Sequence, residues 1–133
     1  MPLEQFFMGL ADRTRLRMLN LLLVGELCGC DIQYVLEVSQ SAVSRHLNYL
    51  KRAGLVRDRR DGYRVFYRLV EEDGRSSLLL DYLRRAFEQD KTFGGDLKAL
   101  KSAIRQGACS VSEAQLRPRA RRAASPRARR ATA

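Results

Sequence analysis

Tryptophan is absent, histidine occurs once and proline only three times among the 133 residues. With a single histidine, no phosphate-binding loop and no nucleophile placed near a base, the sequence offers nothing from which to build an active site. Long apolar runs are missing too. Nothing approaches the roughly 20 consecutive apolar residues of a membrane span, so no membrane partner is expected. Glu4 and Gln5 interrupt the first apolar stretch and no basic region precedes it, which argues against a secretory leader and for a cytoplasmic protein. Cysteine is limited to Cys28, Cys30 and Cys109. An odd number without an export signal argues against a disulfide framework and leaves free thiols, metal ligands or redox sensors.

Positive charge, by contrast, is plentiful but unevenly placed. The formal net charge is +10, yet residues 117–133 hold seven arginines and no acid, leaving +3 for residues 1–116. Any polyanion must therefore meet the folded part through local placement rather than bulk charge. The tail, rich in Ala and Arg with Ser and two prolines, has too little apolar surface to order itself and reads as a disordered basic extension. The length suits one domain. We expect that domain over residues 1–106 and a flexible C-terminal segment, containing Cys109, over 107–133.

Apolar spacing predicts a first helix over residues 3–10 (Leu3, Phe6, Phe7, Leu10) and a second from Asp12, a cap, to about Val24, with Gly25 as a left-handed stop. A helix of about two turns follows Cys28-Gly29-Cys30-Asp31, capped by Cys28 with Asp31 at the third position or by Asp31 itself. A sharp turn at Glu37 and Val38 then delivers Ser39, another cap, to a helix over residues 40–53 that buries Val43, Leu47 and Leu50. Residues 55–60 and 63–69 read as strands joined by Asp61-Gly62, a pair favouring a type I′ hairpin, with Val65, Tyr67 and Leu69 on one face and Arg64, Phe66 and Arg68 on the other. The segment from Ser76 to Gln89 is too apolar for a solvated helix and asks for a partner surface. Gly94-Gly95 are expected to break the chain, with Asp96 capping a last helix that ends before Gly107. The fold class is thus α+β, mostly helical: a winged helix-turn-helix with a two-stranded β-hairpin wing and a helical dimer interface.

A short helix, a tight turn and a second helix led by small polar side chains is the geometry that enters a DNA major groove. Gln40, Ser41, Ser44, Arg45 and Asn48 lie opposite the buried stripe of that helix. Gln suits adenine, Arg suits guanine, and Ser suits base or phosphate. Arginines gather on the hairpin, where Arg59, Arg60 and Arg64 are placed to reach flanking phosphates or the minor groove. The expected partner is double-stranded operator DNA. A competing reading is non-specific nucleic-acid binding through the arginine tail. His46 directly precedes the buried Leu47 and is read as a packed structural residue.

The stretches Leu10-Ala11-Asp12-Arg13-Thr14-Arg15-Leu16-Arg17-Met18-Leu19, Glu26-Leu27-Cys28-Gly29-Cys30-Asp31-Ile32, Ser39-Gln40-Ser41-Ala42-Val43-Ser44-Arg45-His46-Leu47 and Arg64-Val65-Phe66-Tyr67-Arg68-Leu69 resemble the ArsR/SmtB family of metal-responsive repressors, in that family's order. The resemblance implies a homodimer that represses when apo, releases DNA when an inducer ion binds, and pairs through the first helix and the long helix after the wing. Leu83 is expected in that interface. Two positions depart from the family pattern: Arg13 stands where proline is common, and Glu37 where glycine is common.

The Glu-Leu-Cys-x-Cys-Asp box resembles the family's arsenic and antimony site, which implies As(III) or Sb(III) as inducer. Soft metalloids prefer thiolates, and a helix N-terminus favours the thiolate form. Residues i and i+2 of a regular helix point about 200° apart, so Cys28 and Cys30 are expected to share an ion only by unwinding the first turn, with Gly29 easing the distortion. The family's third cysteine is replaced by Gln33, which leaves Cys109 as the candidate third thiolate, from the same or the partner subunit. The family's other site, for zinc on the dimer helix, needs histidines that this chain lacks there. Cadmium, lead or a thiol-redox switch at Cys28 and Cys30 remain as alternative signals.

Overall fold

Every described α-helix after the first begins where the sequence supplies a side-chain acceptor. In a computed structural model, which describes residues 2–116, α1 (Leu3–Met8) leads to α2 (Arg13–Leu22), followed by β1 (Leu27–Cys28), α3 (Gly29–Leu36) and α4 (Gln40–Arg52). The hairpin β2 (Val56–Asp61) and β3 (Arg64–Leu69), then α5 (Gly74–Phe87), α6 (Lys91–Arg105) and one 3-10 turn at Glu113–Gln115 complete the described chain. The Asp12 carboxylate accepts the Arg15 amide at 3.0 Å and the Ser39 hydroxyl accepts the Ala42 amide at 3.1 Å, capping α2 and α4 as expected. Met18, Leu19, Ile32, Leu47, Leu50 and Leu69 are fully buried in one core shared by the helix-turn-helix and the wing. This is the expected winged helix-turn-helix.

Several expectations change. The sheet has three strands in the order β1-β3-β2, because Leu27 and Cys28 pair with Tyr67 and Phe66. Asp61 pairs with Arg64, so the hairpin loop is Gly62-Tyr63 rather than Asp61-Gly62. Gly62 has φ 66° and Tyr63 has no positive φ, which excludes the type I′ turn that needs both. Phe66 and Tyr67 are both buried, because the sheet is covered on each side: Arg59 lies over the Phe66 ring and Gly29 approaches Tyr67. Gly25 does not stop α2 in a left-handed conformation. A Cβ there would lie 3.2 Å from the Gln115 carbonyl oxygen, so close passage of the C-terminal segment is what this glycine permits.

The last helix starts at Asp90, whose carboxylate accepts the Thr92 amide at 2.9 Å, and it runs straight through Gly94 and Gly95. Two glycines cost about 1 kcal/mol each relative to alanine. Flanking anchors hold the helix: the Phe93 ring packs on Phe87, the Phe93 carbonyl accepts the Asn20 amide at 2.9 Å, and Asp96 takes a two-pronged contact from Arg17 at 2.8 and 2.9 Å. Arg13 joins this contact by bonding Asp90 at 2.8 Å and lying 5.1 Å from the centre of the Phe93 ring, so the residue that replaces proline ties α2 to α6.

Leu83 is only 6% exposed within one subunit, packed in the core with Leu80 and Phe87. It is not an interface residue of the kind expected. The outward apolar side chains are Leu78 and Tyr82 on α5, at 61% and 66% exposure, together with Leu3, Phe7 and Met8 on α1. Residues 107–116, expected to be flexible, instead pack on the body, burying Val111 and setting Leu116 against Gly25. The expectation of a disordered tail falls on residues 117–133, which lie outside the described residues.

Candidate DNA-reading face and thiol turn

Amphipathic spacing leaves one side of α4 bare. Val43, Leu47 and Leu50 are buried, while Gln40, Ser41, Ser44, Arg45 and Asn48 are all exposed on the other side. Behind the helix the Arg15 guanidinium donates to the carbonyls of Gly9 and Met8 at 2.9 and 3.0 Å and lies 4.1 Å from the centre of the Tyr49 ring. It also meets His46 Nδ1 at 3.3 Å. Burial lowers the pKa of His46, opposed by Asp12 and reinforced by the charges of Arg15 and Arg45. The neutral ring accepts from Arg15, which gives His46 the structural role read from its position.

On the wing, Arg60 and Arg64 are exposed around the Gly62-Tyr63 tip, with the Arg64 guanidinium 5.5 Å from the centre of the Tyr63 ring. Arg59 is turned back instead. Its guanidinium meets the Glu26 carboxylate at 2.8 to 3.1 Å and lies 4.7 Å from the centre of the Phe66 ring. Of the three wing arginines proposed for DNA, it is the one already paired with an acid.

Cys28 has φ −70° and ψ 149° and is the N-cap of α3, outside the helix. Its sulfur accepts the Cys30 amide at 3.2 Å, while its own amide donates to the Asp31 carboxylate at 2.9 Å, completing a reciprocal capping box. The 200° separation of helical residues does not apply to a cap in extended conformation. The two cysteines are therefore joined through their sulfurs, with Cα atoms 5.1 Å apart, while the first turn of α3 stays wound. This corrects the expectation that the turn must open for both sulfurs to converge. Cys28 is buried and Cys30 exposed.

Asp31, 1% exposed, extends the turn to a distant part of the chain. Its carboxylate accepts the Ser110 amide and the Ser110 hydroxyl, both at 2.8 Å. Cys109 is thereby held beside Asp31 in the same subunit, where burial first, then the Asp31 charge and a hydrogen bond to it, push the thiol pKa up to about 11. Sequence reasoning noticed Asp31 only as a cap; Ser110, 79 positions away, carries no local signal. β1 was missed as well, and it links Cys28 directly to the wing. A cavity of about 440 Å³ is lined by Cys28 and Cys30, by Gln40 and Ser44 of α4, and by Tyr63 and Arg64 of the wing tip. The thiol turn and the reading face thus border one space.

The donor set suits a soft, thiophilic ion in part. Two sulfurs are together, but among the described residues no group of three or more His, Cys, Asp and Glu side chains is gathered to hold a metal ion.

Residues 12–58 match the family model described as bacterial regulatory protein, arsR family. The arsenic resistance transcriptional regulator ArsR1 of Pseudomonas putida is 51% identical over 67 residues, 50% of this chain and 52% of that protein. HlyU from Vibrio cholerae superposes with a TM-score of 0.57 at 35% identity, covering 62% of this chain and 87% of the other. This chain belongs to the arsR family. A second structure, the homodimeric winged helix-turn-helix DNA-binding domain of Mb0332 from Mycobacterium bovis, described as a possible ArsR-family transcriptional regulator, is 28% identical with a TM-score of 0.56, covering 65% of this chain and 78% of that one. The arsR family is one of regulators, not of enzymes. The chain spans about half the length of the curated arsenic-resistance relative it matches.

Proposed function

We propose that this protein is a transcriptional repressor that binds double-stranded operator DNA as an apo homodimer and releases it when arsenite or antimonite is taken by Cys28 and Cys30. The observation that carries this reading is the pairing of the two sulfurs at the cap of α3, on a strand bonded to the wing. DNA is met by Gln40, Ser41, Ser44, Arg45 and Asn48 from α4 and by Arg60 and Arg64 from the wing, with Arg59 joining them once it leaves Glu26. Residues 1–106 form the folding and dimerising unit, with 107–116 strapped onto it. No helix among the described residues is long and apolar enough to cross a membrane, and a repressor working on DNA belongs in the cytoplasm.

A trivalent metalloid takes up to three thiolates, and Cys109 is the candidate third, from its own subunit, once its thiol leaves Asp31. Titrating the promoter complex with arsenite, antimonite and cadmium in a thiol-free reductant tests the assignment. Cys28→Ser is expected to hold DNA as the parent does while losing the response to arsenite; a normal response in this variant removes the sensing role. The disulfide contact between Cys28 and Cys30 favours one second reading, release on oxidation of the pair. Peroxide without reductant separates the two signals.

For the dimer, the exposed apolar residues of α1 and α5 are the contact surface, in keeping with the homodimeric relative. Leu78→Glu is expected to yield monomers in sedimentation, since an uncompensated charge in an apolar interface costs several kcal/mol. An intact dimer of this variant places the interface elsewhere.

A further inference from the structure

The sequence of residues 117–133 holds an exact repeat. Pro118-Arg119-Ala120-Arg121-Arg122-Ala123 recurs unchanged, eight positions on, as Pro126-Arg127-Ala128-Arg129-Arg130-Ala131. Each copy has three arginines and no acid, and with Arg117 they supply +7 of the chain's net +10. The same charge pattern offered twice suits a partner whose own charges recur at even spacing, as the phosphates of a duplex do.

The structure fixes where this segment starts. Val111 is buried, a capping box between Ser112 and Gln115 closes the turn at Glu113–Gln115, and Leu116 lies against Gly25. Gly25 leads through Glu26 into β1, whose Leu27 pairs with Tyr67 of β3. At about 3.3 Å per strand residue, the wing tip at Tyr63 is then roughly 20 Å from that starting point. Fully extended, the first unit ends up to about 25 Å from Leu116 and the second up to about 50 Å. The first can therefore reach the tip, where Arg60 and Arg64 are already exposed, and the second can reach what lies past it.

We propose that the two Pro-Arg-Ala-Arg-Arg-Ala units are a second DNA contact, taking the sugar–phosphate backbone of the duplex that flanks the wing without regard to its sequence. This rests on the reading of α4 and the wing as the DNA-binding face. Once that face is seated, the flanking phosphates stand at an effective concentration on the order of millimolar to a segment tethered beside them. That tether favours the duplex over RNA or an anionic lipid surface met from solution. Arginine suits the task, because its guanidinium pairs with phosphate in a two-pronged contact. Residues 1–116 carry only +3, so the units set how firmly the protein holds DNA, while α4 sets where.

Fluorescence anisotropy of the full chain on its own promoter duplex tests the proposal, with salt varied over roughly 50 to 200 mM and with or without about 10 flanking base pairs on each side. The full-length variant combining Arg119→Ser, Arg121→Ser, Arg122→Ser, Arg127→Ser, Arg129→Ser and Arg130→Ser is expected to lose the gain that flanking DNA gives the parent. Its slope of log affinity against log salt is expected to flatten by about 5 if one unit per subunit of the dimer is engaged, and by about 11 if both are. The same six positions changed to Lys are expected to keep the parent's slope, since lysine also meets phosphate. Preference for promoter over random duplex is expected to survive in both variants. A Ser variant with the parent's slope, or a parent indifferent to the flanks, overturns the proposal. A gain from the six arginines that is larger on single-stranded RNA or anionic vesicles than on duplex overturns it too, and makes that polyanion the partner. If the parent itself does not prefer its promoter to random DNA, the reading of α4 fails; a Ser variant that keeps that preference on a flattened slope supports the second contact and leaves α4 in its role.

Discussion

α3 and α4 both start on a single side-chain cap, yet the two caps sit in opposite surroundings. Ser39 is exposed, and beyond the Ala42 amide its hydroxyl has the Ser41 hydroxyl at 3.3 Å. Cys28 is buried, and behind it stand the Asp31 carboxylate, the Ser110 hydroxyl and the paired wing strand. The exposed face of α4 at Gln40, Ser41, Ser44, Arg45 and Asn48 keeps its polar groups free of hydrogen bonds to other elements among the described residues, as the duplex proposed for it requires. The helix proposed to sense has its first turn bonded to two other stretches of sequence, the segment at Ser110 and β3. The surface proposed for an external partner is left unbonded within the fold, whereas the turn proposed to transmit is tied into it.

Removing the wiring should therefore cost stability, and removing the reading groups should not. Asp31→Ala strips the acceptor from the Cys28 amide, the Ser110 amide and the Ser110 hydroxyl, bonds of 2.8 to 2.9 Å around a buried carboxylate. The expected loss is about 3 kcal/mol in denaturant unfolding. A variant as stable as the parent breaks the contrast.

Next in size is Arg45→Ala, with Ser44→Ala behaving alike. Operator discrimination is expected to fall by roughly 1–3 kcal/mol, while unfolding stability stays within about 0.5 kcal/mol of the parent. Anisotropy against specific and random DNA, paired with melting curves, measures both. Parallel losses in the two assays would show that α4 is bound into the fold more tightly than its exposure indicates.

The smallest effect is expected at the junction of the two helices. Glu37, with φ 57°, is the one described non-glycine residue in a left-handed conformation, at the C-terminus of α3. Glu37→Gly is expected to raise stability by up to about 1 kcal/mol without changing operator affinity. A drop in affinity would show that the strained turn sets the angle of the reading helix.

The helix-turn-helix was legible because its signals are local. Asp12, Ser39 and the apolar stripes of α2 and α4 each act within one or two turns of where they stand, and Glu37 was legible as a strained substitute because the turn geometry is set by its neighbours. What escaped is long-range. β1 is two residues long, too short for any alternation to show. Gly94 and Gly95 looked like a break because helix propensity is a local quantity, whereas α6 is held by Arg17, Asn20 and Phe87 from elsewhere in the chain. Leu78 and Leu83 are equally apolar, and only the placement of α5 against the core separates the inward residue from the outward one. At the thiol turn, the two cysteines were visible but their convergence was not, since it depends on Cys28 lying one step outside the helix.

The carboxylate of Asp31 spans a sequence separation of 79 to Ser110. Opening of Asp31 leaves the Ser110 amide and hydroxyl without their acceptor, and opening of Ser110 leaves the buried carboxylate without those donors, so the two segments have little reason to open separately. In amide hydrogen exchange the Cys28 and Ser110 N–H groups are then expected to behave as one cooperative unit, with a shared opening free energy below that of global unfolding. The strap at residues 107–116 is expected to breathe with the turn proposed as the sensor, and whatever slows one to slow the other.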